Sequence, residues 1–416
     1  MPMNEIKTVG FIGAGTMGCF NSLLTGIGGY EAILFDVSEE TLLLTEITQE
    51  IIGGALVDRK MFTAAQIAEG RRHIHLERDP ARAVAHADLL SESVPEKLDL
   101  KRSVHRQFDA LCPPHTIMTT NTSGIPVSEI EDAVQRGDRF AAMHFHLGSP
   151  LVDIVGGPRT GGQTMDILTR FVKSIHCYPH INRKENPGYI YNAVSTGMTK
   201  VIVPMVVQYQ ERVEDIDRAW MLNSGEGAGP FGAMDLLGIN VYYDGTLNAM
   251  RNPGKRKLFE GMLTILQPLV ERGELGMKTG KGFYTYPEPA YQKPEFLKPD
   301  PQDNDRYQTM INGIILEALM VVSQDIATVE EVDRIWMLAR YSEAGPFGWL
   351  DAKGIDCFLS EIKTPSYGQI HPMEQISTSE ALLNPFLERS ELGVKSGKGF
   401  YSYPDPLFRN PIFLTV

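Results

Sequence analysis

Three glycines near the amino terminus carry the first chemistry. In KTVGFIGAGTMGCF, Gly13, Gly15 and Gly18 stand in a G-x-G-x-x-G spacing. The motif follows an apolar run that reads as a strand and opens a stretch that reads as a helix. The first glycine permits a tight turn, the second lets a pyrophosphate approach the backbone, and the third lets helix and strand pack closely. A helix N-terminus adds positive dipole there. With Thr16 and Met17, these residues form the expected floor for a dinucleotide. Asp36 ends the next candidate strand, 18 residues beyond Gly18. That is close to the roughly 20 expected of an acid that bonds the adenosine ribose. Its charge would repel a 2′-phosphate, and the VSEE that follows holds no Lys or Arg, so the pattern selects NAD over NADP. A glycine turn beside a solvated Asp is the plain alternative, and the flanking strand, helix and acid weigh against it.

These residues need a sheet to hold them. Candidate strands are Lys7–Ile12, Glu31–Asp36, Asp88–Ser93, Thr116–Asn121 and Phe140–His144. Helix-length segments separate them, which reads as βαβ units and a parallel sheet. Phe20, Leu23, Leu24 and Ile27 recur at helical spacing between the first two strands. Beyond about Lys184 the strand pattern gives way to helices, and there the sequence repeats itself. VEDIDRAWMLNSGEGAGPFGAMDLLGIN returns as VEEVDRIWMLARYSEAGPFGWLDAKGID, and GELGMKTGKGFYTYPEP returns as SELGVKSGKGFYSYPDP. Asp217 recurs at Asp333, 116 residues on, and Gly276 at Gly393, 117 on. Matching offsets over that length mean a duplicated domain, with the Pro-rich stretch from Pro287 as the linker. The expected fold is an α/β Rossmann-like N-terminal domain over 1–184, then two homologous all-α domains over 185–290 and 303–416.

Composition narrows the partners. The chain has 416 residues, 43% hydrophobic and 22% charged, the balance of a globular protein of several domains. Its net charge of −13 argues against nucleic acid. It leaves room for an anionic substrate on a local basic patch. Cys19, Cys112, Cys177 and Cys357 form no CxxC pair, so no metal site or redox motif is read, and four buried or half-buried thiols are expected. The apolar run VIVPMVV is far too short for a membrane span, and no leader precedes the first strand. The expected setting is cytoplasmic, with no membrane partner.

Further along stand SESVPEKLDLK, TTNTSGIPVSEI, AAMHFHLGSPLVDIVGGPRTG and ENPGYIYNAV. In this order, with the GPFG and GKGFY segments, they make the chain resemble the 3-hydroxyacyl-CoA dehydrogenase family over nearly its whole length. The tandem helical half is similar to the dehydrogenase portion of multifunctional fatty-acid oxidation proteins. The resemblance implies a role for each matching residue. His144 matches the catalytic base, and Asp153 the Glu that orients it. Ser123 matches the serine near the substrate oxygen and nicotinamide, and Asn192 the asparagine that contacts substrate. Glu96, Lys101 and Asn121 fall on the cofactor side. Arg59 and Lys60 lie in the segment that contributes to the CoA phosphate site. The chemistry is coherent without the family. Oxidising a secondary alcohol needs a base for the hydroxyl proton, and imidazole suits that task near neutral pH. A carboxylate on its other nitrogen fixes the tautomer and stabilises the imidazolium.

Alternatives stay open at this point. His146, two residues from His144, competes for the base, and spacing alone does not choose. HFHLGSP is shorter than the family's loop between base and acid. An ungapped alignment puts Gly156 at the acid; a gapped one keeps the GPRT turn and supplies Asp153. The family's loop asparagine has no clear counterpart. Asn192 as a helix cap, Ser123 as a turn residue, and Arg59 and Lys60 as a solvated patch are the plain readings of those residues. The expected reaction is reversible oxidation of an (S)-3-hydroxyacyl-CoA or related thioester with NAD, in a cleft between the front domain and the first helical copy. A free 3-hydroxy acid or a carrier-bound acyl group is the nearest alternative; a non-catalytic NAD-binding protein is the other class. The second copy has no PGF-like entry and reads as structural. Paired with the first copy in a pseudo-twofold arrangement, it would make the protein a monomer.

Overall fold

The structure, a computed structural model, describes residues 6–251 and 256–415. The chain forms two compact units. One runs to Tyr189 and includes Ile335–Ser342; the other comprises Ile190–Arg334 and Glu343–Phe413.

The first unit is built on a single eight-stranded sheet. Its strands are β1 (Thr8–Ile12), β2 (Glu31–Phe35), β3 (Ile74–Glu77), β4 (Leu89–Glu92), β5 (Ile117–Thr120), β6 (Phe140–Phe145), β7 (Leu151–Gly156) and β8 (Tyr178–Ile181). They lie in the order β3-β2-β1-β4-β5-β6-β7-β8. The reversal between β1 and β4 is the crevice where dinucleotides bind in such sheets. Every pair is parallel except β6 and β7, which run antiparallel. The five strands expected from the sequence, β1, β2, β4, β5 and β6, pair in parallel as expected, and the antiparallel β7 adds to them. Only five residues, 146–150, join β6 to β7, too few for a parallel crossover. β3 and β8 are edge strands with half-exposed, polar sequences, which is why alternation did not mark them.

Alternation assigns the sheet's faces. Val9, Phe11, Leu34, Met143, Phe145, Val152 and Ile154 enter one core. Leu90, Met118, Phe140, Ala142 and Val155 enter the other, with Tyr189. Each fully buried Leu or Phe contributes about 1.5–3 kcal/mol. The period of two places Glu92, Thr120, His144 and Asp153 on that second face, at or near the ends of their strands. α1 (Thr16–Ile27) follows β1 directly and buries Phe20, Leu23 and Leu24.

The second unit is largely helical, and its repeat has a physical basis. Asp217 accepts hydrogen bonds from the Phe231 and Gly232 N–H groups at 2.8 Å and from the Tyr284 hydroxyl at 2.9 Å. Asp333 does the same with Phe347, Gly348 and Tyr401. In each copy the carboxylate satisfies orphan donors at a helix N-terminus. A second aspartate, Asp235 or Asp351, holds the GKGFY strap by two backbone N–H groups and a tyrosine hydroxyl. Helix Tyr191–Val207 of the first copy packs against helix Asp303–Ser323 of the second through Gly197 and Gly313. A Cβ on Gly197 would lie 2.1 Å from the Gly313 carbonyl oxygen, and one on Gly313 2.5 Å from that of Gly197. These glycines are 116 residues apart, the same offset as Asp217 and Asp333.

All four cysteines are free. Cys357 is exposed, a correction to the expectation of buried thiols; the other three are buried. Among the described residues no helix is long and apolar enough to cross a membrane.

Candidate active site

Two groups of residues gather at the carboxyl ends of the parallel strands, where ligands bind in sheets of this kind. The first is the glycine loop after β1. Gly13 has a φ of +100°, in the left-handed region that favours glycine. A Cβ on Gly18 would lie 1.8 Å from the Gly13 carbonyl oxygen, so the helix start and the loop can approach only without a side chain there. Above Gly15, by contrast, a Cβ would meet nothing within 4 Å. The motif thus presents an open backbone surface at the N-terminus of α1, beside Thr16 and Met17. Asp36, just past β2, accepts from the Ala14 N–H and the Ser38 N–H, both at 2.8 Å. Loop and acid are thereby locked together. The arrangement fits a dinucleotide.

The second group lies on β5, β6 and β7. In the β6–β7 ladder His144 stands directly opposite Asp153, and Gly156 stands opposite Ala141. Asp153 Oδ2 is 3.5 Å from His144 Nδ1. His144 Nε2 is 2.9 Å from Ser123 Oγ, which sits in the turn after β5. In the tautomer that donates Nδ1–H to Asp153, Nε2 accepts from the serine. His146, just past the end of β6, reaches the same carboxylate. Its Nε2 is 2.7 Å from the same Asp153 oxygen, and Asn182 Nδ2 donates to the other oxygen at 3.1 Å. Asp153 is 0% exposed, His144 5% and His146 8%. Among the described residues these three also have donor atoms grouped within 4.8 Å, as a metal site would require. Here those atoms are spent on one another.

Burial sets the electrostatics. It pushes His144 below its ordinary value, and the neighbouring His146 pushes further, against the pull of Asp153. Burial alone would raise Asp153, but hydrogen bonds from both histidines outweigh it and hold the carboxyl well below the usual range. His144 is therefore neutral, and Asp153 ionised, at neutral pH.

Other predicted residues are placed differently. Glu96 Oε1 accepts from the Thr122 hydroxyl at 2.6 Å and from the Ser123 and Gly124 N–H groups at 3.0 and 2.9 Å. It shapes the turn that presents Ser123. Lys101, 1% exposed, is enclosed between Glu92 at 2.8 Å and Glu96 at 3.3 Å. Asn121 Oδ1 accepts from the Phe145 N–H at 2.8 Å and braces β5 against β6. Arg59 donates to the Gly148 carbonyl in the β6–β7 turn, with its guanidinium 5.4 Å from the centre of the Tyr341 ring. Lys60 is exposed, with a φ of 58°. Asn192 is the second residue of helix Tyr191–Val207, in the second unit.

Sequence reasoning missed three contributors and gave a fourth another role. Glu92 sits inside the SES segment. Burial would raise it, yet Lys101 and His105 outweigh that and hold it at about 2. It accepts from Lys101 and from the Thr120 hydroxyl. Tyr189, inside PGY, places its ring 5.1 Å from that of His144 and donates to the Thr122 carbonyl at 2.7 Å. Asn182 has no motif at all. His146 stood only as a rival to His144, when the geometry makes it a neighbour of the same carboxylate.

Comparison with known proteins agrees with this architecture. The family model for the NAD binding domain of 3-hydroxyacyl-CoA dehydrogenase matches residues 8–182. The model for that enzyme's C-terminal domain matches twice, at 188–286 and 307–403. The mitochondrial hydroxyacyl-coenzyme A dehydrogenase of Sus scrofa is 28% identical over 293 residues, covering 68% of this chain and 91% of its own. The 5-formyl-3-hydroxy-2-methylpyridine 4-carboxylate 5-dehydrogenase of Mesorhizobium japonicum is 25% identical over 288 residues, covering 68% and 91%. The solved structure of 3-hydroxybutyryl-CoA dehydrogenase from Escherichia coli shares the fold, with a TM-score of 0.68 over 92% of this chain and 100% of that one, at 21% identity. The sheet of the first unit is an NAD-binding domain, the helical repeat is a doubled dehydrogenase C-terminal domain, and the chain belongs to the 3-hydroxyacyl-CoA dehydrogenase family.

Proposed function

We propose that this protein oxidises (S)-3-hydroxyacyl-CoA esters reversibly to 3-oxoacyl-CoA, with His144 as the base. The observation that carries the reading is the run Ser123 Oγ–His144–Asp153, with His144 and Asp153 buried, at the carboxyl ends of the parallel strands of an NAD-binding sheet. Nε2 of His144 takes the proton of the substrate hydroxyl, and Asp153 at Nδ1 stabilises the imidazolium that forms. Ser123 Oγ holds the substrate oxygen beside Nε2. Asn192 is assigned to the same oxygen on the PGYIYN resemblance. Gly13, Gly15, Thr16, Met17, Gly18 and Asp36 are assigned to the dinucleotide, with Asn121, Glu96 and Lys101 supporting that side from behind. NAD, when bound, supplies the hydride acceptor for the alcohol carbon. The protein is divided into domains 1–184, 185–290 and 303–416.

The second reading keeps the chemistry and drops CoA. It is favoured by the five-residue β6–β7 turn and by a relative whose name records a pyridine carboxylate substrate. NADH consumption with acetoacetyl-CoA, an acetoacetyl carrier protein and free acetoacetate tests both. Turnover with the CoA ester at a kcat/KM at least about tenfold above the others is the expected result. Preference for the free acid would replace the thioester reading.

A further inference from the structure

The carboxylate that should serve His144 is held mainly by another residue. Asp153 Oδ2 lies 2.7 Å from His146 Nε2 but 3.5 Å from His144 Nδ1. The two imidazole rings are 4.5 Å apart, edge to face. Apart from the histidines, Asp153 has Asn182 on its other oxygen. The family resemblance leads one to expect a longer carboxylate, Glu, opposite a single histidine. Asp is one methylene shorter, and the antiparallel register fixes its Cα opposite that of His144. The acid cannot advance by moving its backbone.

We propose that His146 is a positioning residue that holds the short Asp153 carboxylate in the slot beside His144. The proposal rests on reading His144 as the base. Its logic is steric and electrostatic. Without the His146 N–H, Asp153 Oδ2 would lose its shortest bond, and the carboxylate could turn about Cβ–Cγ, held only by Asn182 and the long 3.5 Å contact to His144. A carboxylate that must reorient as the imidazolium forms stabilises the transition state less than one already fixed. Geometry also rules out a simple exchange of roles, because Ser123 Oγ is bonded to His144.

The test uses the whole protein, with kcat measured on its best 3-oxoacyl substrate and NADH binding measured by fluorescence. His146→Leu should lower kcat about tenfold and leave NADH affinity within about twofold. His146→Gln places an amide nitrogen near the Nε2 position and should stay within about threefold of the wild type; His146→Asn is too short and should behave like Leu. The decisive readout is rescue. Asp153→Glu restores the missing methylene, so adding His146→Leu to it should cost no more than about threefold, a clear departure from additivity. A Leu variant as fast as or faster than wild type, equal behaviour of Gln and Asn, or the same His146→Leu penalty in both backgrounds would overturn the proposal. Should the Leu variant fail to fold, the Gln and Asn pair decides. Turnover that survives His144→Ala would instead reject the base assignment itself.

Discussion

At the scale of single residues, the site works by burial. As the proposed base, His144 must be neutral to accept a proton, and burial together with His146 lowers its pKa from 6.5. The sign follows directly. A base with a depressed pKa stays active to lower pH and is lost as pH falls through that depressed value. The acid limb of kcat/KM for alcohol oxidation should therefore titrate below 6.5; a limb above 6.5 would contradict the account. Ser123→Ala removes the hydroxyl on Nε2 and should lower kcat by about 10–100-fold with little change in NADH affinity. Arg59 and Lys60 separate in the same way. Lys60→Ala should raise KM for a CoA ester alone. Arg59→Ala should also lower kcat, because Arg59 donates to the Gly148 carbonyl in the turn between His144 and Asp153. Steady-state kinetics on the two single variants checks this; equal kcat in both would remove Arg59 from the hairpin's support.

At the scale of elements, the sequence was most legible where backbone geometry leaves few choices. Gly13 and Gly18 could be assigned from spacing because a positive φ and a sub-van-der-Waals approach each demand glycine. The apolar central strands were legible for a similar reason: buried strands need continuous hydrophobic runs. Edge strands β3 and β8 lack that pressure. Glu92, Asn182 and Tyr189 were illegible because they meet Thr120, Asp153 and His144, 28, 29 and 45 residues away, only when the sheet closes. The GPFG and GKGFY repeats were legible as repeats but not as straps, since the anchoring aspartates lie 14 and 48 residues from their first backbone partners. The straps give a stability prediction. Asp217→Ala leaves two buried N–H groups and a tyrosine hydroxyl unpaired, and should cost about 3 kcal/mol in urea unfolding of the helical region. A loss below about 1 kcal/mol would mean that solvent satisfies those donors.

At the scale of the whole molecule, the duplication bears on assembly. Gly197 and Gly313 are equivalent positions of the two copies and face each other across helices Tyr191–Val207 and Asp303–Ser323. Equivalent residues in mutual contact are the mark of a twofold interface, here within one chain. The protein should therefore run as a monomer of 46.3 kDa in light scattering at micromolar concentration. A dimer joined through the helical copies would contradict that. Gly313→Leu forces a side chain into the Gly197 backbone and should destabilise the helical region by about 1–3 kcal/mol. Stability and assembly, however, are secondary to the chemistry at the base. The most direct test is the rate of NADH oxidation at saturating acetoacetyl-CoA for the wild type and for His144→Ala, with NADH binding confirmed in both. The account predicts turnover in the wild type and a fall of at least about 10²–10⁴-fold in the variant at unchanged NADH affinity. Comparable turnover in the variant would contradict it.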